Sequence, residues 1–131
     1  MKKIIFAFFL SFISYFLNVT PAQQIAGFSS VELQSRDLSV PGRVAAQRII
    51  EMESGVVGGR HTHPGEELGY VIEGAVELTI DGQAPQIFKA GEVFFVAAGL
   101  VHRGANVGAV KSRLLATHIV EKSKPASSPV Q

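Results

Sequence analysis

Three of the four histidines and one glutamate have residue types and spacings that could do chemistry. His61 and His63 are separated by one residue, so on a strand both imidazoles project to the same face. Glu67 follows four residues later, after the turn-forming Pro64-Gly65, and His102 arrives much further on, just after Ala98-Gly99. Two imidazoles on one strand, a carboxylate on its neighbour and a third imidazole from a distant strand could converge on one point inside a barrel. Such a donor set suits a borderline divalent ion such as Mn, Fe, Co, Ni, Cu or Zn. The chain has no cysteine, which excludes disulfides, thiol catalysis and iron–sulfur clusters and argues against a closed zinc–thiolate site. An octahedral ion with four protein ligands would keep two positions open for water, oxygen or substrate.

Other residues near this set read differently. Glu66 lacks the spacing of Glu67 and is expected to be a solvated loop charge. Arg60 and Arg103 flank histidines of the set and should alternate to the opposite face. His118, in LLATHIVEK, is expected to be a structural histidine; facing inward, it would line the pocket as acid, base or substrate contact. It is the one candidate for a catalytic proton-transfer group. Asn106 is expected to fix the loop around His102, and Gly55, Gly74, Gly91 and Gly99 read as turn positions.

The elements that must position these side chains are short strands. Candidates are 31–34, 44–52, 60–63, 68–72, 75–80, 86–88, 93–96, 101–103 and 113–121, punctuated by pairs such as Pro41-Gly42, Asp81-Gly82 and Ala90-Gly91. The segment AVELTI alternates, with Val76, Leu78 and Ile80 on one face. If Glu67 points inward, Gly69 and Val71 do too, and Leu68, Tyr70 and Ile72 face outward. In 92–97 both alternate sets are largely apolar, so each face needs a cover. Many short strands without sustained helical periodicity predict an all-β sandwich or barrel.

The N-terminus reads as a leader. Met1-Lys2-Lys3 precedes an apolar run from Ile4 to Leu17, and Thr20-Pro21-Ala22 offers a small-residue cleavage site. The run falls short of the ~20 residues a membrane span needs. The expected organisation is a signal peptide at 1–22, a flexible lead-in at 23–30, one barrel domain at 31–122 and a disordered Pro- and Ser-rich tail at 123–131. Export to a bacterial periplasm or secretion follows, with no membrane attachment after cleavage. Without the leader's two lysines the chain carries ten basic and eleven acidic residues, a formal charge of −1. A near-neutral surface with no basic run argues against nucleic acid as a partner. An exported small domain without disulfides must be held by its core, a metal or a partner subunit.

Two segments carry a family resemblance. GVVGGRHTHPGEELGYVIEG resembles the first motif of the cupin superfamily, with Gly55, His61, His63, Glu67 and Gly74 at the motif's spacings. GEVFFVAAGLVHRGAN is similar to the second motif, with Gly91, Gly99, His102 and Asn106 in place. Ala97 stands where the family usually has Pro, which costs rigidity in that turn but removes no ligand. The resemblance implies a small double-stranded β-helix, or jelly-roll, barrel. It further implies one divalent transition metal per chain (Mn, Fe, Ni, Cu or Zn) on His61, His63, Glu67 and His102, and a homodimer. The implied function is small-molecule metalloenzymology of dioxygenase, isomerase or lyase type. The alternative is a non-catalytic module that binds or senses a metal or small ligand.

Overall fold

The computed structural model describes residues 24–131, so the leader expected at 1–22 lies outside the described residues. Ten strands follow in order: β1 (Phe28–Asp37), β2 (Arg43–Met52), β3 (His61–Thr62), β4 (Gly65–Glu73), β5 (Ala75–Ile80), β6 (Gln86–Lys89), β7 (Val93–Val96), β8 (His102–Ala105), β9 (Ser112–Glu121) and β10 (Ser128–Pro129). All the pairings are antiparallel, in two five-stranded sheets of order β1-β2-β9-β4-β7 and β10-β3-β8-β5-β6. This is the all-β double-stranded β-helix that the resemblance implies.

Alternation decides what each sheet buries. On β4, Glu67, Gly69 and Val71 are buried while Leu68, Tyr70 and Ile72 are exposed, as the inward placement of Glu67 requires. On β7, Phe94 and Val96 are buried, while Val93 and Phe95 stand out in solvent. The inner faces meet in one core of Met52, Val71, Val76, Leu78, Phe94, Val96, Leu114 and Ala116. Turn glycines let strands reverse within one or two residues. Gly74, between β4 and β5, has φ +72°, and a Cβ there would lie 2.7 Å from the Lys111 carbonyl oxygen.

Two expectations need correction. The lead-in at 23–30 is not flexible to its end, because β1 begins at Phe28 and pairs Ser29 with Glu51 and Ser30 with Ile50. The tail at 123–131 is not disordered: β10 pairs Ser128 with Thr62 and Pro129 with His61. The Val130 amide also donates to the Arg60 carbonyl at 2.9 Å. Both segments are held by backbone hydrogen bonds, which serine and proline-flanked residues make without an apolar pattern.

Candidate metal centre

The register places the chemistry in two facing pairs. On β3 and β8 His61 is paired with His102, and on β4 and β9 Glu67 is paired with His118. His63 lies one residue beyond β3, and its carbonyl accepts the Gly99 amide at 2.9 Å, tying the turn before His102 to it. One donor atom from each of His61, His63, Glu67 and His102 lies within 4.8 Å of the others. His63, Glu67 and His102 are buried and His61 is partly so. The four residues read from spacing are thus brought together.

The protonation of this cluster follows from its backbone partners. Nδ1 of His61 lies 2.8 Å from the Gly59 carbonyl oxygen, Nδ1 of His63 2.6 Å from that of Ala126, and Nδ1 of His102 2.9 Å from that of Leu100. A carbonyl can only accept, so each Nδ1 carries its proton and each neutral ring is left with a bare Nε2 lone pair. Nε2 of His102 is 3.0 Å and Nε2 of His63 3.2 Å from the same Glu67 Oε2. His63 Nε2 makes no hydrogen bond despite that proximity and is a buried, unpartnered atom. Lone pairs facing an anion in a buried site are held together by a cation. The donor set of three imidazoles and one carboxylate therefore fits a divalent transition ion, each histidine being oriented through its far nitrogen.

Protons partly serve the same balance. Burial would raise the Glu67 pKa, but the His102 hydrogen bond and the neighbouring imidazoles of His63 and His118 hold the carboxyl well below the usual range. Burial lowers His102, yet the Glu67 hydrogen bond, the Leu100 carbonyl and the Glu67 charge together outweigh it and leave the imidazole raised. A proton on His102 Nε2 then donates to Glu67. His61 is lowered, chiefly by burial and despite its Gly59 hydrogen bond.

His118 faces inward. Its ring lies 4.3 Å from that of His63, centre to centre, and its Nε2 is 3.8 Å from Glu67 Oε2, outside hydrogen-bond range. It stands beside the cluster without joining the four-donor group. Burial pushes its pKa down to about 4, against the pull of Glu67, so the ring is neutral near pH 7. The reading of His118 as a structural histidine gives way to that of a pocket-lining one.

A cavity of about 560 Å³ opens from this cluster, lined among others by Phe28, Ile50, Met52, Val76, Leu78 and Leu114. Arg60 borders it too, while its guanidinium is paired at the surface with Asp81 and the Gln131 carbonyl, in keeping with its surface reading. Arg103 is exposed as expected. Asn106 anchors a different loop from the one expected. Its Nδ2 donates to the carbonyls of Met52 and Val110, so it ties the end of β2 to the β8–β9 connection.

Sequence reasoning missed three contributors. The carbonyls of Gly59 and Leu100 each lie two residues before the histidine they orient, a local pattern that only backbone geometry reveals. The tail's contribution has no sequence signal beyond its presence.

Comparison with known proteins covers the same residues. The family described as Cupin domain matches residues 48–118, more than half of the chain and all four histidines. Germin-like protein subfamily T member 2 of Arabidopsis thaliana is 42% identical over 71 residues, 50% of this chain and 32% of that protein. HTH-type transcriptional regulator PuuR of Escherichia coli (strain K12) is 34% identical over 79 residues, 60% of this chain and 42% of the regulator. The chain thus spans 32% to 42% of the length of these curated relatives. Among solved structures, oxalate oxidase in complex with the substrate analogue glycolate superposes with a TM-score of 0.64 at 22% identity. That likeness covers 86% of this chain and 61% of the oxidase chain, and it is a likeness of fold.

Proposed function

Since this chain belongs to the cupin-domain family, we propose that it is a metal-dependent small-molecule enzyme of dioxygenase-like, lyase or isomerase type. The observation that carries this reading is the convergence of three Nε2 lone pairs and the Glu67 carboxylate, with each Nδ1 committed to a backbone carbonyl. His61, His63, Glu67 and His102 would hold one divalent ion per chain, with Mn, Fe, Ni, Cu and Zn all compatible with these donors. When bound, the ion supplies Lewis-acid polarisation or a site for oxygen.

The chain's own residues do the rest. The apolar walls keep water from the buried cluster and strengthen every electrostatic contact there. His118 is neutral at working pH and lies beside the cluster, so its ring can take a proton from a substrate seated against Glu67. The leader supports export, and the apolar outer face of the β1-β2-β9-β4-β7 sheet supports a homodimer with the small molecule inside each barrel.

A second reading is favoured by one observation, the match to the transcriptional regulator PuuR. On that reading the barrel binds its ligand as a sensor without turnover. One experiment tests both. The tag-free protein and its His61→Ala variant are analysed for metals, and the metal-loaded protein is then followed by oxygen electrode and mass spectrometry against a panel of small acids, hydroxyketones and phenols. Near one ion per chain, lost in the variant, with turnover of a panel member supports the enzyme. One ion with saturable ligand binding and no turnover supports the sensor. No ion after reconstitution overturns both.

A further inference from the structure

The register sorts the cavity wall into rows along the strands. The cluster row contains Glu67 and His118, paired across β4 and β9. Two residues along β9 the row holds Gly69, Ala116 and Arg48. Phe94 on β7, paired with Gly69, lays its ring where a side chain on that glycine would stand, so an aromatic face borders the cluster. The next row brings Ile50 and Leu114, and β1 and β2 end the wall with Phe28 against Met52. Val76 and Leu78 close the wall from the other sheet. Four residues separate His118 from Leu114, a distance of ~13 Å along an extended strand. One pole of the cavity is therefore a cluster of nitrogen and oxygen donors, and most of the remainder is hydrocarbon.

The cations bordering this space are committed elsewhere. Arg48 donates through Nε to Ser30 Oγ at 2.9 Å and reaches Glu32 at 3.4 Å. Arg60 is bound to Asp81 and to the Gln131 carbonyl. A second carboxylate on a ligand would compete with both of these attachments. Size points the same way: three waters at ~30 Å³ each would fill about a sixth of the 560 Å³. A two-carbon acid would leave most of the apolar wall uncovered.

We infer that the cavity takes a small amphiphile with one oxygen-chelating head at the His61, His63, Glu67 and His102 cluster and a hydrocarbon or aromatic body against Ile50, Leu114 and Phe28. This deepens the metal reading above and rests on it. A polar, doubly charged small acid is not its substrate class.

Hydroxamic acids test this, because they carry one fixed bidentate oxygen head on a body of chosen length. The tag-free protein is loaded with Co(II), and acetohydroxamate and octanohydroxamate are titrated while the cobalt absorption bands are followed. Each further buried CH₂ is worth about a fourfold gain in affinity. With half the added chain buried, octanohydroxamate binds ~50-fold more tightly than acetohydroxamate. Ile50→Ser, on the partly buried wall, narrows that ratio several-fold. Equal affinities for the two hydroxamates, or no binding of either to cobalt-loaded protein, overturn the inference. Failure of the metal reading shows separately, as no cobalt uptake. Calorimetry with octanoate and acetate on the metal-free chain then decides: preference for octanoate supports an apolar-bodied ligand, and parity overturns it.

Discussion

The Nδ1 proton of His63 is donated to the carbonyl oxygen of Ala126, 63 residues further along the chain and 2.6 Å away. That bond makes the tail part of the metal centre, since it selects the tautomer whose Nε2 faces Glu67. It rests on a segment whose side chains are mostly exposed, held by two β10–β3 pairs and by the links of Arg60 to Val130 and Gln131. A chain ending at Ser123 keeps all four donors but loses this orientation. Removing such an outer hydrogen bond weakens metal affinity by ~10–100-fold. Competition with a chromophoric chelator checks this, with circular dichroism reporting that the barrel remains folded. Unchanged affinity in the shortened chain would show that the tail only covers the cavity.

The ligand set itself can be separated from its neighbour. His61→Ala, His102→Ala and Glu67→Gln should each leave well under half an ion per chain by elemental analysis. His118→Phe should retain near one, because His118 Nε2 lies 3.8 Å from Glu67 Oε2 and outside the four-donor group. If the enzyme reading holds, the same His118→Phe protein loses ~100-fold or more in turnover, the usual scale of a lost proton-transfer group. Metal loss from His118→Phe equal to that from His61→Ala would displace the assignment.

Acid should destabilise the metal-free chain in a defined window. Burial lowers His118 from its ordinary 6.5 to about 4, so between those values the unfolded chain binds a proton that the folded chain does not. Stability therefore falls as pH drops from about 6.5 to about 4, by up to ~3 kcal/mol for this group. His61 is lowered too, chiefly by burial, and acts in the same sense. Glu67 is lowered as well, so its contribution is present above the ordinary carboxylate pKa and is lost as pH falls below it. His102 is raised and opposes them: its contribution is present below its ordinary pKa and is lost as pH rises through the folded one. Urea unfolding of the metal-free protein at pH 7 and pH 4.5 measures the balance, and His118→Phe should flatten it. An equally steep loss in that variant would place the acid sensitivity elsewhere.

Much of this was legible in the residues, for reasons that differ by element. Ala75–Ile80 has the bounds its alternation predicts, because one face is buried and a slip of one residue would expose it. Val93–Val96 has its expected bounds without any alternation, as an apolar run between two glycine turns. Glu67 fixes the facing of β4 by the same logic. His61, His63 and His102 were found through motif spacing, which encodes turn lengths and therefore convergence. The partners on Nδ1 were not legible, since a backbone carbonyl has no residue identity. The tail was misread because Ser128 and Pro129 carry no apolar pattern and are held by the exposed edge of β3. His118 was ambiguous because the alternation of β9 places it inward, whereas its meaning depends on the distant strand that meets it.

The outer face of the larger sheet carries the last prediction. Val31, Ile49, Leu115, Tyr70 and Val93 lie opposite one another in register, making an unbroken apolar row across all five strands. Val31 is 58% exposed, Tyr70 46% and Val93 67%, and beside them stands Phe95 at 57%. Four interstrand steps of ~4.8 Å give the row a length of ~19 Å. Charged pairs flank it, Glu51 with Arg113 on one side and Arg43 with Glu66 on the other. An apolar centre with a charged rim is the anatomy of a subunit interface. A second copy related by a two-fold axis would lay row on row and cover both at once. Sedimentation equilibrium of the tag-free protein should give twice the chain mass at micromolar concentration. Tyr70→Glu and Phe95→Glu should each shift it to the monomer, with metal content unaltered because both side chains point away from the cluster. A wild-type monomer, or a dimer indifferent to both substitutions, would rule this face out as the interface.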